Sequence, residues 1–346
     1  MSRVVVVGAG IAGLAAAWQL RQAGVDVIVI ESEPRPGGVI VTERRDGFVV
    51  EGGPDGFLAA EPEIPALAAA LGIADRIVAQ QVRGTSRWIG KRFEPLEEGR
   101  AAELLGIETR ASDLSAGFCT FTGGMEELIA ALAERLPLAL GQGVSGIAPG
   151  DKAWRVWATE DLSYDGDALV LAVPTYAASR WLKQIGVQGA DKLDEVVYAS
   201  STTVSLAYRA EQIGRPLEGT GFVATPPLRA CTYASSKYGG RAPDGHVLLR
   251  AFLAPTREDF ATLAHAQLAA ILNIRGEPLW SRVFHWTRGL PRYPERYALH
   301  LTALRDRFAR LAPVAVAGAG YDGAGVSACV RSGRDAARVV LGRLGH

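Results

Sequence analysis

The run Val4 to Val7, which passes directly into Gly8-Ala9-Gly10-Ile11-Ala12-Gly13, constrains the fold more than any other stretch of the chain. An uninterrupted valine run reads as a strand covered on both faces, the mark of a central parallel strand. After the glycines, Leu14, Ala17 and Leu20 recur at helical spacing, Gly24 stops the helix, and Val25 to Ile30 reads as a second strand that ends at Glu31. This is the order of a βαβ unit. In such a G-x-G-x-x-G turn the glycines make the tight turn, let backbone approach a phosphate and let the helix pack closely on the strand. The amides at the helix N-terminus attract an anion, and an acid at the end of the second strand accepts hydrogen bonds from ribose hydroxyls. Without this context the motif would be only a glycine turn followed by an exposed acid.

A chain of 346 residues is long enough for a cofactor domain and a substrate domain. Lys and Arg number 37 against 37 Asp and Glu, so no global field gathers nucleic acid, and none is expected as a partner. Cys119, Cys231 and Cys329 are far apart and form no C-x-x-C pair, which reads as reduced, buried thiols in a cytoplasmic protein. His246, His265, His285, His300 and His346 show no metal-binding spacing, and no metal is assigned. No stretch approaches the roughly 20 apolar residues of a membrane span. Weak peripheral membrane contact stays open, and oligomeric state is not legible.

Further along, the pattern predicts a helix from Glu63 to Leu71 ended by Gly72 and another from Gly124 to Pro137. Three strands follow, Val144 to Ile147, Trp154 to Ala158 and Ala168 to Val173, with turns at Pro149-Gly150-Asp151 and Asp165-Gly166-Asp167. Thr202 to Phe252 reads as strands and loops, and Arg257 to Leu272 as a helix. Val314 to Gly318 is a last strand, followed by a glycine loop and a helix through Ala336, Val339, Val340 and Leu344. Residues 94 to 117 are polar and weakly patterned. The fold expected is α/β (α+β overall), with a Rossmann-type cofactor domain assembled from both chain ends (residues 1–60, 120–175 and 312–346). A β-sheet-based substrate domain takes residues 61–119 and 176–311.

Arg35-Pro36-Gly37-Gly38 follows Glu31 where a nicotinamide enzyme would proceed to its next helix, and its amides and guanidinium suit a second phosphate and a ring edge. With this loop and Thr42 the chain resembles the amine oxidase superfamily of flavoproteins. Glu51-Gly52-Gly53-Pro54-Asp55 is similar to the E-x-G-P loop of one branch, the protoporphyrinogen and coproporphyrinogen oxidases of haem synthesis. The likeness runs on through Thr120 to Met125, Leu171 to Pro174, Ala230 to Lys237, Val247 to Arg250, Ala317 to Gly323 and Arg331 to Arg334. It implies a non-covalent FAD and an oxidase that takes a hydride from a tetrapyrrole and passes electrons to dioxygen. The implied cofactor contacts are Gly8, Gly10, Ile11, Ala12, Gly13, Glu31, Arg35, Gly37, Gly38, Gly53, Pro54, Val144, Gly318, Tyr321, Gly325 and Val326.

Two departures from the family pattern stand out. The long helical, membrane-facing insert is reduced to about residues 97 to 118, which implies a substrate slot that is wide and open. Trp286 and Pro291-Arg292-Tyr293 match, yet the glycine and histidine that follow in the family are Arg296 and Tyr297 here. Arg250, Trp286 and Tyr293 are the substrate-binding candidates. Lys237 is the catalytic candidate, as a holder of water near the flavin; the competing reading is an exposed strand-end lysine. For Arg250, Arg288 and Arg292, guanidinium contact with propionates competes with a solvated surface, and Trp154 and Trp157 read as packing. Competing functions are another flavin amine or carotenoid-type oxidoreductase, a nicotinamide dehydrogenase, and a minimal flavoprotein with weak or no porphyrinogen activity.

Overall fold

A computed structural model describes residues 2–97, 99–105, 114–150 and 153–346. Its first body is a five-stranded parallel sheet in the order Leu138–Ala139, Asp26–Ile30, Arg3–Val7, Ala168–Leu171, Val314–Val316. Strand side chains alternate between faces, and the valine run shows what that does here. Val4 and Val6 enter one core with the helices Ile11–Gln22 and Val326–Leu344. Val5 and Val7 enter another, with Trp154, Val156, Trp181, Leu301 and Phe308. All four valines are at most 3% exposed, so the strand is central, as its composition requires.

The helix Glu63–Leu71 has the expected bounds, and Gly72 closes it in the left-handed region at φ 75°. It packs on the first core through Ile64, Leu67, Ala68 and Leu71. The helices Thr175–Gln184 and Tyr297–Phe308 join the second core. We therefore propose that residues 63–71, 175–196 and 297–308 belong with the cofactor body rather than with the substrate body. Asp165 and Gly166 do not form the expected turn. They end the strand Ser163–Gly166, which pairs with Trp154–Ala158, because the two-residue reversal falls earlier, at Glu160 and Asp161 with positive φ.

The second body is a seven-stranded sheet in the order Trp280–Arg292, Val197–Arg209, His246–Leu253, Leu228–Tyr233, Gly221–Val223, Thr85–Trp88, Phe93–Leu96. The helix Phe260–Leu272, capped by Asp259 accepting from the Thr262 amide at 2.8 Å, covers one face. The other face meets the hairpin Thr42–Arg45/Phe48–Glu51 through Phe48, Val50, Trp280 and Phe284. Pattern reading misses the 13-residue strand Trp280–Arg292 because it is polar and holds Gly289 and Pro291. As an edge strand it tolerates a proline. The region read as weakly patterned contains Phe93–Leu96 and a short helix, Arg100–Leu105; residues 106–113, inside the reduced insert, lie outside the described residues. Among the described residues no helix is long and apolar enough to cross a membrane.

Candidate active site

Two long helices begin side by side at one end of the parallel sheet. Ile11–Gln22 starts from Gly10 and Val326–Leu344 from Gly325, and neither N-cap supplies a side-chain bond to the first-turn amides. Those amides remain for an anion, and both dipoles favour one. The helices cross closely because Gly333 lies on Ala12: a Cβ there would stand 2.0 Å from the Ala12 carbonyl oxygen. Around Gly10 and Gly325, by contrast, a Cβ would meet nothing within 4 Å. The glycines of the turn thus divide by task. Gly8, at φ 103°, and Gly13, whose Cβ would stand 1.9 Å from the Gly8 carbonyl oxygen, build the turn; Gly10 keeps a space open.

Glu31 is buried at the end of its strand and binds the turn directly, accepting from the Ala9 amide at 2.7 Å. Its other oxygen accepts from the Ser32 hydroxyl and the Glu33 amide, each at 3.0 Å. The strand Val144–Pro149 starts beside it, since Gln142 donates its amide to the Glu31 carbonyl at 2.7 Å. Gly37 bridges to Gly10 and donates to the Ala9 carbonyl at 2.8 Å, and a Cβ at Gly38 would stand 3.6 Å from Gly10 Cα. The Gly53-Pro54 loop backs onto the same stretch at Val39, and Gly318 lies 3.6 Å, measured from a Cβ position, from Ala12 Cβ. Glu31, Gly37, Gly38, Gly53 and Gly318 are thereby linked to the turn from which the helix at Ile11 starts, and the helix at Val326 packs on that same helix.

Several side chains have other partners than expected. The Arg35 guanidinium donates to the carbonyls of Pro36, Gly38 and Ile40, so it braces its own loop rather than standing ready for a second phosphate. Tyr321 is buried; its hydroxyl donates to the Val173 carbonyl at 3.1 Å and its amide to the Gly318 carbonyl at 3.0 Å. Lys237 is not an exposed strand end. It lies in the short helix Ala234–Lys237, is 8% exposed, and binds Asp55 at 3.0 and 3.2 Å. Burial raises the Asp55 carboxyl, but Lys237, Arg250 and Arg241 outweigh it and hold the pKa below the usual value. Arg250 is buried too, donating to the Gly53 carbonyl at 2.7 Å. Burial lowers its pKa, and Asp55 and Glu51 oppose this only in part. Trp286 donates to the Gly52 carbonyl at 2.8 Å and Tyr293 to the Ala319 carbonyl at 2.5 Å. Trp154 is core, donating to the Pro313 carbonyl, whereas Trp157 is exposed. Cys231 and Cys329 are buried and Cys119 is half-buried.

Sequence reasoning passes over Arg241. It is 2% exposed, donates to Thr120, Phe121 and Thr122, and lies 3.6 Å from the buried Glu51. Glu51 also accepts from Thr42 at 2.8 Å and from the Met125 amide at 2.9 Å. Burial raises its pKa, opposed by Arg241 first among its partners. Nothing in the local pattern around Arg241 separates it from a surface arginine.

The family model of the flavin containing amine oxidoreductases matches residues 11–102 and 92–341. The chain belongs to this family. It is an FAD-dependent oxidoreductase, and its fold is shared with a candidate protoporphyrinogen oxidase from Exiguobacterium sp. 255-15. That structure has TM-score 0.83 and 22% identity, over 100% of this chain and 99% of the other. Cyclohexylamine oxidase from Brevibacterium oxydans IH-35A superposes with TM-score 0.79 at 14% identity, over 100% of both chains. Among curated proteins, the coproporphyrinogen III oxidase of Bacillus subtilis is 22% identical over 96% of each chain. That of Propionibacterium freudenreichii is 25% identical over 98% of this chain and 90% of its own. The Bacillus alignment runs over 455 positions against 346 residues here, so more than a hundred positions face gaps. The two family-model matches meet at residues 92 to 102, where the reduced insert begins.

FAD fits the cradle: a Cβ at Gly10 or Gly325 would intrude on open space between two uncapped helix ends, and a buried carboxylate flanks it. The flavoprotein is expected to lose FAD affinity by about 1 to 3 kcal/mol in Glu31→Ala, the usual cost of removing hydrogen bonds to a charged group. Fluorescence titration of apoprotein with FAD measures this, and unchanged affinity would remove Glu31 from the site.

Proposed function

We propose that the enzyme oxidises a porphyrinogen, coproporphyrinogen III or protoporphyrinogen IX, to the porphyrin with dioxygen as acceptor. The full-length similarity to coproporphyrinogen III oxidases carries this reading. Gly10, Ile11, Ala12 and Gly13 would hold the pyrophosphate of FAD, Glu31 its ribose and Val144 its adenine side. Gly53, Pro54, Gly318, Tyr321, Gly325 and Val326 would line the isoalloxazine side. Bound FAD supplies a two-electron acceptor that dioxygen reoxidises. The remaining task of the protein is to orient the macrocycle and keep water out.

Arg250 is buried against the Gly53 carbonyl and Lys237 against Asp55, so neither stands at an exposed rim. Among the arginines considered, Arg288 is exposed and lies 4.3 Å over the ring of Tyr176. A guanidinium braced on a ring suits a carboxylate at the rim. With the insert reduced, one wall of the slot is missing, and substrate positioning limits turnover.

Anaerobic mixing of the yellow protein with each porphyrinogen tests the reading. Slow bleaching of the flavin is expected, faster when a relative's insert is grafted between Gly99 and Phe118, with FAD affinity unchanged. No bleaching by either substrate in parent and graft would overturn the assignment, and rapid bleaching by the parent would show that the slot is complete without the insert.

A further inference from the structure

Three side chains read from the sequence as substrate contacts, or as departures from a pattern, instead reach the carbonyls of the loops that rim the cradle. Trp286 donates from the edge strand to Gly52 at 2.8 Å, Tyr293 just past that strand's end to Ala319, and Tyr297 in the next helix to Gly320 at 2.7 Å. The Tyr293 and Tyr297 rings stack with centroids 5.7 Å apart and planes 17° from parallel. Burial raises the pKa of the Tyr297 hydroxyl above that of free tyrosine, which keeps it a donor.

We propose that Trp286, Tyr293 and Tyr297 are positioning residues for the flavin: Trp286 and Tyr293 set the direction of the loop amides at Gly53 and Gly320, and Tyr297 fixes the turn in which the Tyr321 amide donates to the Gly318 carbonyl at 3.0 Å. A trans peptide is planar, with its C=O and the following N–H pointing in opposite directions. Holding the carbonyls of Gly52 and Ala319 from the edge strand and from the residue just past its end turns the next amides the opposite way, while the helix Tyr297–Phe308 holds the Gly320 carbonyl. Both loops adjoin the cradle, Gly53 through Val39 and Gly38, and Gly318 through Ala12. Arg296, at φ 62°, supports the geometry. The left-handed conformation it adopts suits the glycine of the family pattern better than an arginine. The next residue, Tyr297, is the one that reaches Gly320. The inference rests on the cradle proposed above.

The test replaces each donor while keeping a ring: Trp286→Phe, Tyr293→Phe and Tyr297→Phe. Each is read by FAD dissociation constant, visible circular dichroism of the bound flavin, midpoint potential and melting temperature. We expect FAD to bind about fivefold to thirtyfold more weakly in each, as loss of a partner to a buried carbonyl implies. The flavin dichroism and potential should shift with it. A lowered melting temperature with unchanged FAD affinity, dichroism and potential would show a purely structural role and overturn the proposal. Gly10→Val separates the two levels: if it binds FAD like the parent, the cradle itself is misplaced. If it loses FAD while the three variants match the parent, only the positioning role fails.

Discussion

Gly10→Val is expected to fold like the parent and to bind FAD at least about a hundredfold more weakly. The backbone at Gly10, φ −66° and ψ 170°, is open to any L-residue, and a Cβ there meets no atom within 4 Å. The valine branches therefore occupy the space between the helix ends without disturbing the core. They deny the pyrophosphate the first-turn amides, and loss of two charged hydrogen bonds costs on the order of 3 kcal/mol, near a hundredfold. Gly13→Val should do the reverse at the level of the fold, because its Cβ would stand 1.9 Å from the Gly8 carbonyl oxygen. Melting temperature and FAD titration on the pair separate cradle from scaffold. A Gly10→Val protein that stays yellow through purification would contradict the site.

Arg241→Met should lower stability by about 3 to 5 kcal/mol, the cost of leaving one member of a buried ion pair alone. Arg241 is almost fully enclosed, and its loss strands Glu51 together with the Thr122 and Phe121 carbonyls. Burial already raises the Glu51 pKa, and Arg241 is the chief group opposing it, so the variant's carboxyl moves higher still. A carboxyl raised in the folded state costs nothing while both states are protonated. The cost appears as pH rises above the unfolded pKa and grows until the folded pKa is passed. The variant should therefore differ least from the parent near pH 4 and most at neutral pH. Denaturant unfolding at both values measures this, and a pH-independent difference would show that Glu51 is not the charge left behind.

The parts of this fold that were legible share one property: their signal is local. Val4 to Val7 is central because four consecutive branched residues need cover on both faces. The helix Glu63–Leu71 ends where Gly72 takes a left-handed turn, and Trp154–Ala158 alternates as a two-faced strand does. The strand Trp280–Arg292 was not legible, since an edge strand needs no apolar alternation and its pairing partner lies some eighty residues away in Val197–Arg209. Gly166 has the residue type of a turn, yet pairing with Trp154 makes it strand.

The cofactor class follows from the chain alone, because a G-x-G-x-x-G turn between strand and helix, an acid at Glu31 and a glycine loop at Arg35 to Gly38 are contiguous features whose geometry is set by backbone. The partners of long polar side chains do not follow from it. Arg250, Lys237, Trp286 and Tyr293 have the composition of substrate contacts, and only the docking of the seven-stranded sheet on the glycine loops commits them to Gly53, Asp55, Gly52 and Ala319. A glycine's role is written in its own dihedral angles and near neighbours. An arginine's role is decided by whichever carbonyl or carboxylate tertiary packing buries beside it, so Arg241 and a surface arginine are alike in the sequence and opposite in the structure.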